Sequence, residues 1–305
     1  MKPRLTLGTV QLGLAYGKQS KTPLMSEDAA LEILAAAVEL GIRDFDTAAA
    51  YGCAEQRLGR ARRVGVLPPH TRITTKLTPN LDADSKPLAL DQARRSIEQS
   101  LHRLGQTKLD CLLLHRWEHA RQHSGAVWDA LGRLREEGVL ASLGVSVNTP
   151  QEALEALADP RVENIQLPCN LLDGRWNEVA QTRTYRPDVR IDVRSVYLQG
   201  VLIQDAADWP RLPGVNAAEW IARLEQLKAE VGLESRQALC LQGMTSQNWI
   251  SSIVFGVDSK EQLEATVRHA ASSPWSSEIL DRVKEALSGA PEILLCPFRW
   301  PTERG

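Results

Sequence analysis

Four ionisable side chains stand where short apolar runs end. Gly41-Ile42-Arg43-Asp44-Phe45 leads into Asp46, with Tyr51 in the loop behind it; Ile73-Thr74-Thr75 leads into Lys76; Leu112-Leu113-Leu114 leads into His115. A carboxylate, a phenol, an ammonium and an imidazole gathered in one place suit proton transfer to an oxygen that gains electrons. Reduction of a carbonyl by hydride leaves an alkoxide, so a proton donor must stand at that oxygen. A free phenol, with a pKa near ~10, is a poor acid near neutrality. An ammonium about 4 Å away favours the phenolate by roughly 4 kcal/mol at an effective dielectric of ~20, or about three pKa units. In that arrangement Tyr51 gives the proton, Lys76 steadies the phenolate, Asp46 keeps Lys76 charged and oriented, and His115 hydrogen-bonds the substrate oxygen. Taken singly, an ion pair, a solvated lysine or a packed histidine explains each residue. Their joint placement at three successive strand ends points to a site.

Such a site needs a scaffold that brings strand ends together. Apolar runs alternate with segments of helical period, the pattern of βα units on a parallel sheet. Strands are expected at 5–10, 42–46, 72–77, 109–114, 141–146, 164–167, 189–195 and 251–257. Helices are expected at 27–40 (capped by Ser26, stopped by Gly41), 54–62, 88–104 (stopped by Gly105), 127–137 (stopped by Gly138), from Pro150 behind a Thr149 cap, and at 260–270. Residues 205–219 read as a long loop before the eighth strand, and 273–305 as a tail helix over the barrel. Eight such units predict a single (β/α)8 barrel domain over residues 1–305, whose catalytic groups belong at the C-terminal ends of the strands. No G-x-G-x-x-G follows any strand, against a doubly wound nucleotide site.

Composition fits this picture. The 305 residues are 43% hydrophobic and 24% charged with net charge −2, which offers no electrostatic case for nucleic acid or an anionic membrane. No run reaches the ~18 apolar residues of a membrane span. Cys53, Cys111, Cys169, Cys240 and Cys296 are widely spaced without a C-x-x-C pair. Together with the lack of an apolar leader after Met1-Lys2-Pro3-Arg4-Leu5, they predict reduced thiols and a cytoplasmic setting. Cys53, close behind Tyr51, reads as an inert small side chain. His115, His119 and His123 are spaced like a metal face, but His115 ends a strand, so no metal site is expected. Trp117, Trp176, Trp209 and Trp220 are candidates for pocket walls or for packing, and Arg116 and Arg175 for anion contacts or for surface.

Asp46-Thr47-Ala48-Ala49-Ala50-Tyr51-Gly52 followed by Glu55-Gln56-Arg57-Leu58-Gly59 resembles the D-T-A-x-x-Y-G-x-S-E-x-x-L-G signature of the aldo-keto reductases. The resemblance extends over Leu7–Gly13, Gly144-Val145-Ser146, Ile165–Asn170, Ser195–Leu202 and Phe255–Leu263, in order along nearly the whole chain. It implies a (β/α)8 barrel that reduces a small aldehyde or ketone with NAD(P)H, using Asp46, Tyr51, Lys76 and His115 as its tetrad. It also implies cofactor contacts from Gly8 and Thr9 at strand one. Asp46 would touch the nicotinamide ribose, Ser146 and Gln166 the carboxamide, and Ser195, Leu198 and Gly200 the pyrophosphate. Gly256, Ser259 and Gln262 would meet the adenosine end, at a helix N-terminus.

Three positions depart from the family. Val147 stands where many relatives carry an Asn that holds the carboxamide. Arg194 replaces the aromatic that stacks on the nicotinamide, and its charge disfavours the oxidised ring. Asp258 stands where many relatives pair a Lys or Arg with the 2′-phosphate. NADP(H) is favoured by the resemblance, and Asp258 keeps NAD(H) open. The segments 170–176 and 194–200 look like a bacterial branch associated with carbohydrate, which gives a slight preference for a sugar-related carbonyl. Two other readings remain: a cofactor-binding regulatory protein with little turnover, and a barrel enzyme of unrelated chemistry. Oligomeric state is not legible.

Overall fold

Capping residues set where helices begin. A computed structural model describes residues 3–15 and 23–301; Met1, Lys2 and the last four residues of the tail segment lie outside them. Ser26 accepts from the Ala29 amide at 3.2 Å and opens α2 (Glu27–Glu39), as expected. Thr149 and Glu152 form a reciprocal capping box at the start of α6 (Pro150–Ala158). Gly105 ends α4 (Lys86–Leu104) at φ 64°, a conformation that costs glycine little.

The strands are β1 (Arg4–Gly8), β2 (Asp44–Asp46), β3 (Arg72–Lys76), β4 (Cys111–Leu114), β5 (Leu143–Ser146), β6 (Asn164–Pro168), β7 (Arg190–Arg194) and β8 (Ser252–Phe255). They pair in parallel in sequence order, and β8 returns to β1, which closes the barrel. The helices between them include α3 (Ala54–Arg63), α5 (Gln122–Glu136), α7 (Asn177–Thr182) and α10 (Lys260–Ala270), and their apolar faces pack on the sheet with Phe45, Ile73, Ile191 and Val193.

Several boundaries differ from expectation for local reasons. Val10 is not in β1 but opens a single turn, α1 (Val10–Gly13). Ile42 and Arg43 precede β2, because the Ile42 amide bonds to Ala37 O and the Arg43 guanidinium to Val38 O, both in α2. Leu109 makes only an isolated bridge to Leu140. The loop at 205–219 is shorter than expected: α8 (Ala217–Glu230) starts within it, capped by Asn216, and α9 (Arg236–Thr245) follows behind Ser235. The tail holds α11 (Ser277–Ala286) and a short α12 (Glu292–Leu295).

Alternation along the strands gives the barrel a polar interior. Asp44 and Asp46 share a face of β2; so do Arg72, Thr74 and Lys76 of β3, Asn164 and Gln166 of β6, and Arg190, Asp192 and Arg194 of β7. At the N-terminal end Arg190 reaches across the barrel to Asp44 (3.2 Å) and pairs with Asp192 (2.6 Å), while Arg72 lies 3.6 Å from Asp44 and Asn164 donates to Asp192 at 3.1 Å. Burial pushes the Asp192 carboxyl up, and Arg190 and Asn164 pull against it. Replacing Arg190 with Met takes from Asp192 its ion-pair partner and from Asp44 the nearer of its two cations, so urea denaturation should show a loss of about 3–5 kcal/mol. A loss below about 1 kcal/mol would mean that the network carries no stability.

Candidate active site

The other end of the same alternation builds the site. Asp46 closes β2, Lys76 closes β3, His115 follows β4, Ser146 closes β5, Gln166 lies in β6 and Arg194 closes β7. Parallel pairing puts all six at the C-terminal mouth.

Lys76 is 1% exposed, and its Nζ donates to Asp46 Oδ1 (2.6 Å) and to the Thr47 carbonyl (2.9 Å). Burial opposes its charge, but the attraction of Asp46 and Tyr51 outweighs this and raises the lysine pKa. The other Asp46 oxygen, Oδ2, accepts from Gln166 Nε2 at 2.7 Å. Thr9 Oγ1 donates to the Asp46 carbonyl at 2.9 Å, so Thr9 braces the backbone here. Lys76 Nζ lies 4.9 Å from the centre of the Tyr51 ring, and the His115 ring meets that ring edge-on at 6.2 Å. The expected tetrad is therefore in one cluster.

Tyr51 is held by backbone as well as by side chains. Ala49 N donates to Lys76 O (3.1 Å), Tyr51 N to Ala48 O (3.0 Å) and Ala54 N to Tyr51 O (3.0 Å). A Cβ on Gly13 would sit 2.0 Å from Tyr51 O, so α1 packs on this loop only through glycine. Two residues given no role by the sequence reading complete the frame. Glu55, fully buried in α3, accepts from Thr75 Oγ1 (2.7 Å) and Arg103 (3.3 Å). Arg57 binds the Leu12 carbonyl and the Met25 carbonyl (2.6 Å). Both lie inside the signature run, but which strand and loop each would reach depended on packing.

His115 is mostly buried, and its Nδ1 has no partner among the described residues. Burial, then the charges of Lys76 and Arg194, push its pKa down to about 3, against a smaller opposing pull from a Leu77 backbone contact. It is a neutral imidazole across the ordinary pH range. His119 is buried in a turn, and His123, at φ 52°, bonds through Nε2 to Asp82 O at 2.9 Å. The three histidines share no face, and no cluster of three or more metal-ligating His, Cys, Asp or Glu occurs among the described residues.

The residues expected to hold a cofactor divide into two groups. Ser146 and Gln166 pair in register at the ends of β5 and β6, and Gln166 Oε1 is a buried acceptor with no partner among the described residues. Gly8 leaves room beside Phe255 O, which a Cβ would meet at 3.3 Å. Ser195, Leu198 and Gly200 all have positive φ, so the loop after β7 curls tightly at the mouth. Gly256 is packed against the Gln11 side chain, which a Cβ there would meet at 2.3 Å. At the far end the side-chain oxygens are engaged as acceptors: Ser259 Oγ accepts from Gln262 N (3.4 Å), and Gln262 Oε1 accepts from Asp258 N (2.9 Å), together capping α10. The Asp258 side chain is exposed.

Arg194 donates to Val147 O (3.3 Å) and to Asn148 Oδ1 (2.8 Å). Asn148, one place after the substituted Val147, was not singled out from the sequence. Trp117, Trp176, Trp209 and Trp220 are all buried, the first two bonded to Glu155 (2.9 Å) and Asp173 (3.0 Å). Arg175 is spent on Asp173 (2.7 Å) and the Cys296 sulfur (3.2 Å), tying the C-terminal segment to the loop after β6; Arg116 pairs with Glu118 at 3.3 Å. Cys53 is half-buried and makes no disulfide.

Among the described residues no helix is long and apolar enough to cross a membrane. The chain is similar to an aldo-keto reductase of Mycolicibacterium vanbaalenii, 34% identical over 137 residues, 44% of each chain; the match thus spans less than half of that relative. It is similar over 71% of its length to a Salmonella typhi protein named provisionally as methylglyoxal reductase DkgA, with 30% identity and 78% of that protein covered. Among solved structures, aldo-keto reductase AKR11C1 of Bacillus halodurans shares the fold with a TM-score of 0.72 at 21% identity, covering 93% of this chain and 91% of that one. The model of the aldo/keto reductase family matches residues 4–288, and the chain belongs to that family.

Proposed function

We propose that this protein reduces a small aldehyde or ketone, using NADPH or NADH, through Tyr51, Lys76, Asp46 and His115. The observation that carries the reading is the buried Asp46 carboxylate, with Lys76 on one oxygen and Gln166 on the other, beneath Tyr51. The orphaned Gln166 acceptor beside Ser146 fits the amide of a nicotinamide ring, which supplies hydride to the carbonyl carbon when bound. Tyr51 passes its hydroxyl proton to the carbonyl oxygen as charge develops there. Lys76 stabilises the phenolate, and Asp46 keeps the ammonium in place, so no unpaired charge is buried. His115, being neutral, donates one N–H to the same oxygen and fixes its direction. The provisional name of the Salmonella relative supports a short, polar carbonyl as substrate. A sugar-related carbonyl belongs to the same polar class.

Tyr51→Phe should lower kcat for reduction of a broad aldehyde panel by about 10²–10⁴-fold while NADPH still binds. Near-full activity would remove Tyr51 as the acid. The His115 pKa is depressed in the folded state relative to ~6.5 unfolded, so its neutral form contributes stability above pH 6.5 that is lost as pH falls toward 3. His115→Gln should therefore show a shallower fall of stability across that window in pH-dependent urea melts; identical slopes would contradict a buried neutral imidazole. Asp258→Arg should strengthen NADPH binding relative to NADH. If the two dissociation constants keep their ratio, Asp258 faces away from the 2′-phosphate.

A further inference from the structure

Among the described residues, Arg194 is a cation at the mouth that has no carboxylate. Lys76 has Asp46, Arg116 has Glu118 and Arg175 has Asp173; among the described residues nothing acidic lies within ion-pair distance of Arg194. Its partners, the Val147 carbonyl and the Asn148 amide oxygen, are neutral, and they belong to the two residues that follow Ser146. The side chain therefore runs from the end of β7, past β6, to the loop after β5. That path brings it to the end of the strand pair from which Ser146 and the unpartnered Gln166 oxygen come. Two hydrogen bonds to neutral acceptors fix the guanidinium without cancelling its charge. Its field is felt as far as His115.

We infer that Arg194 makes this mouth hold a nicotinamide in the reduced state in preference to the oxidised state, an inference that rests on the reading of Ser146 and Gln166 as the nicotinamide site. The reduced ring is neutral and the oxidised ring carries a unit positive charge. A fixed, unpaired guanidinium repels the second and not the first. Two like charges several ångströms apart in a partly solvated site separate the affinities by about ten-fold. For a two-electron couple that factor raises the potential of the bound cofactor by about 30 mV. The protein then retains the form that reduces carbonyls and releases the spent form readily. The Arg194–Asn148 contact is what holds the charge there, which gives the substitution at Val147 a counterpart one residue on.

The test measures binding without turnover. Dissociation constants for NADPH and NADP+, and for NADH and NAD+, are taken by isothermal titration on the wild type, Arg194→Gln and Arg194→Lys, with thermal melts to show that each is folded. The expected result is that the ratio of oxidised to reduced dissociation constants falls about ten-fold in the Gln variant and is kept in the Lys variant. An unchanged ratio in Arg194→Gln, or an equal weakening of both forms, overturns the inference and leaves Arg194 a packing residue. A wild type that binds none of the four cofactors sinks the nicotinamide reading itself, an outcome separate from a changed ratio.

Discussion

A lysine ammonium at 1% exposure can exist in a folded protein only with its charge answered, and the mouth of this barrel is arranged around that need. Asp46 answers it at 2.6 Å, and the same carboxylate takes a hydrogen bond from Gln166 on the far side of the barrel. The Asp46 carbonyl receives Thr9, and the Thr47 carbonyl receives Lys76. One residue thus ties β1, β2, β3 and β6. A buried ion pair repays its desolvation only when its remaining hydrogen-bonding capacity is used, and here the closure of the sheet supplies those partners. Tyr51 inherits its position from this pair, because its loop is hydrogen-bonded to the backbone of Lys76.

The two ends of the barrel use one device for different purposes. Strand residues two apart face inward, so β2, β3 and β7 carry polar groups at both ends. At the N-terminal end, Asp44 and Asp192 are met by Arg72 and Arg190. At the C-terminal end, Gln166 keeps an acceptor, His115 a ring nitrogen and Arg194 a charge that the described residues leave unanswered. Buried polar atoms without partners are uncommon in folded proteins. At the N-terminal end opposite charges still face one another across short distances, whereas at the mouth Arg194 has only neutral partners. The far end of the expected cofactor path differs again, since the side-chain oxygens of Ser259 and Gln262 cap α10.

Local chemistry announced much of the fold. Ser26, Thr149 and Gly105 act where a cap or stop was expected, because capping depends on a few adjacent residues. The helices α8 and α9 were hidden by a Pro- and Trp-bearing approach, although Asn216 and Ser235 do cap them. Strand limits shifted where tertiary bonds competed, as at Ile42, whose amide is claimed by α2. Arg175 could have been read as an anion contact, but its guanidinium is consumed by Asp173 and the C-terminal segment. Nothing in the order of residues discloses such a long-range partner.

The sequence by itself determined the alternation of strand and helix and the arrival of Asp46, Lys76 and His115 at successive strand ends, because period, caps and strand termini are local properties. It also carried the family signature around Tyr51. Only the closed barrel decided that Asp46 serves both Lys76 and Gln166, that His115 is held neutral, and that Arg194 turns to Asn148 rather than to a carboxylate. Those outcomes depend on which side chains meet across the barrel and how far water is excluded there, and both are set by the packing of residues distant in the chain.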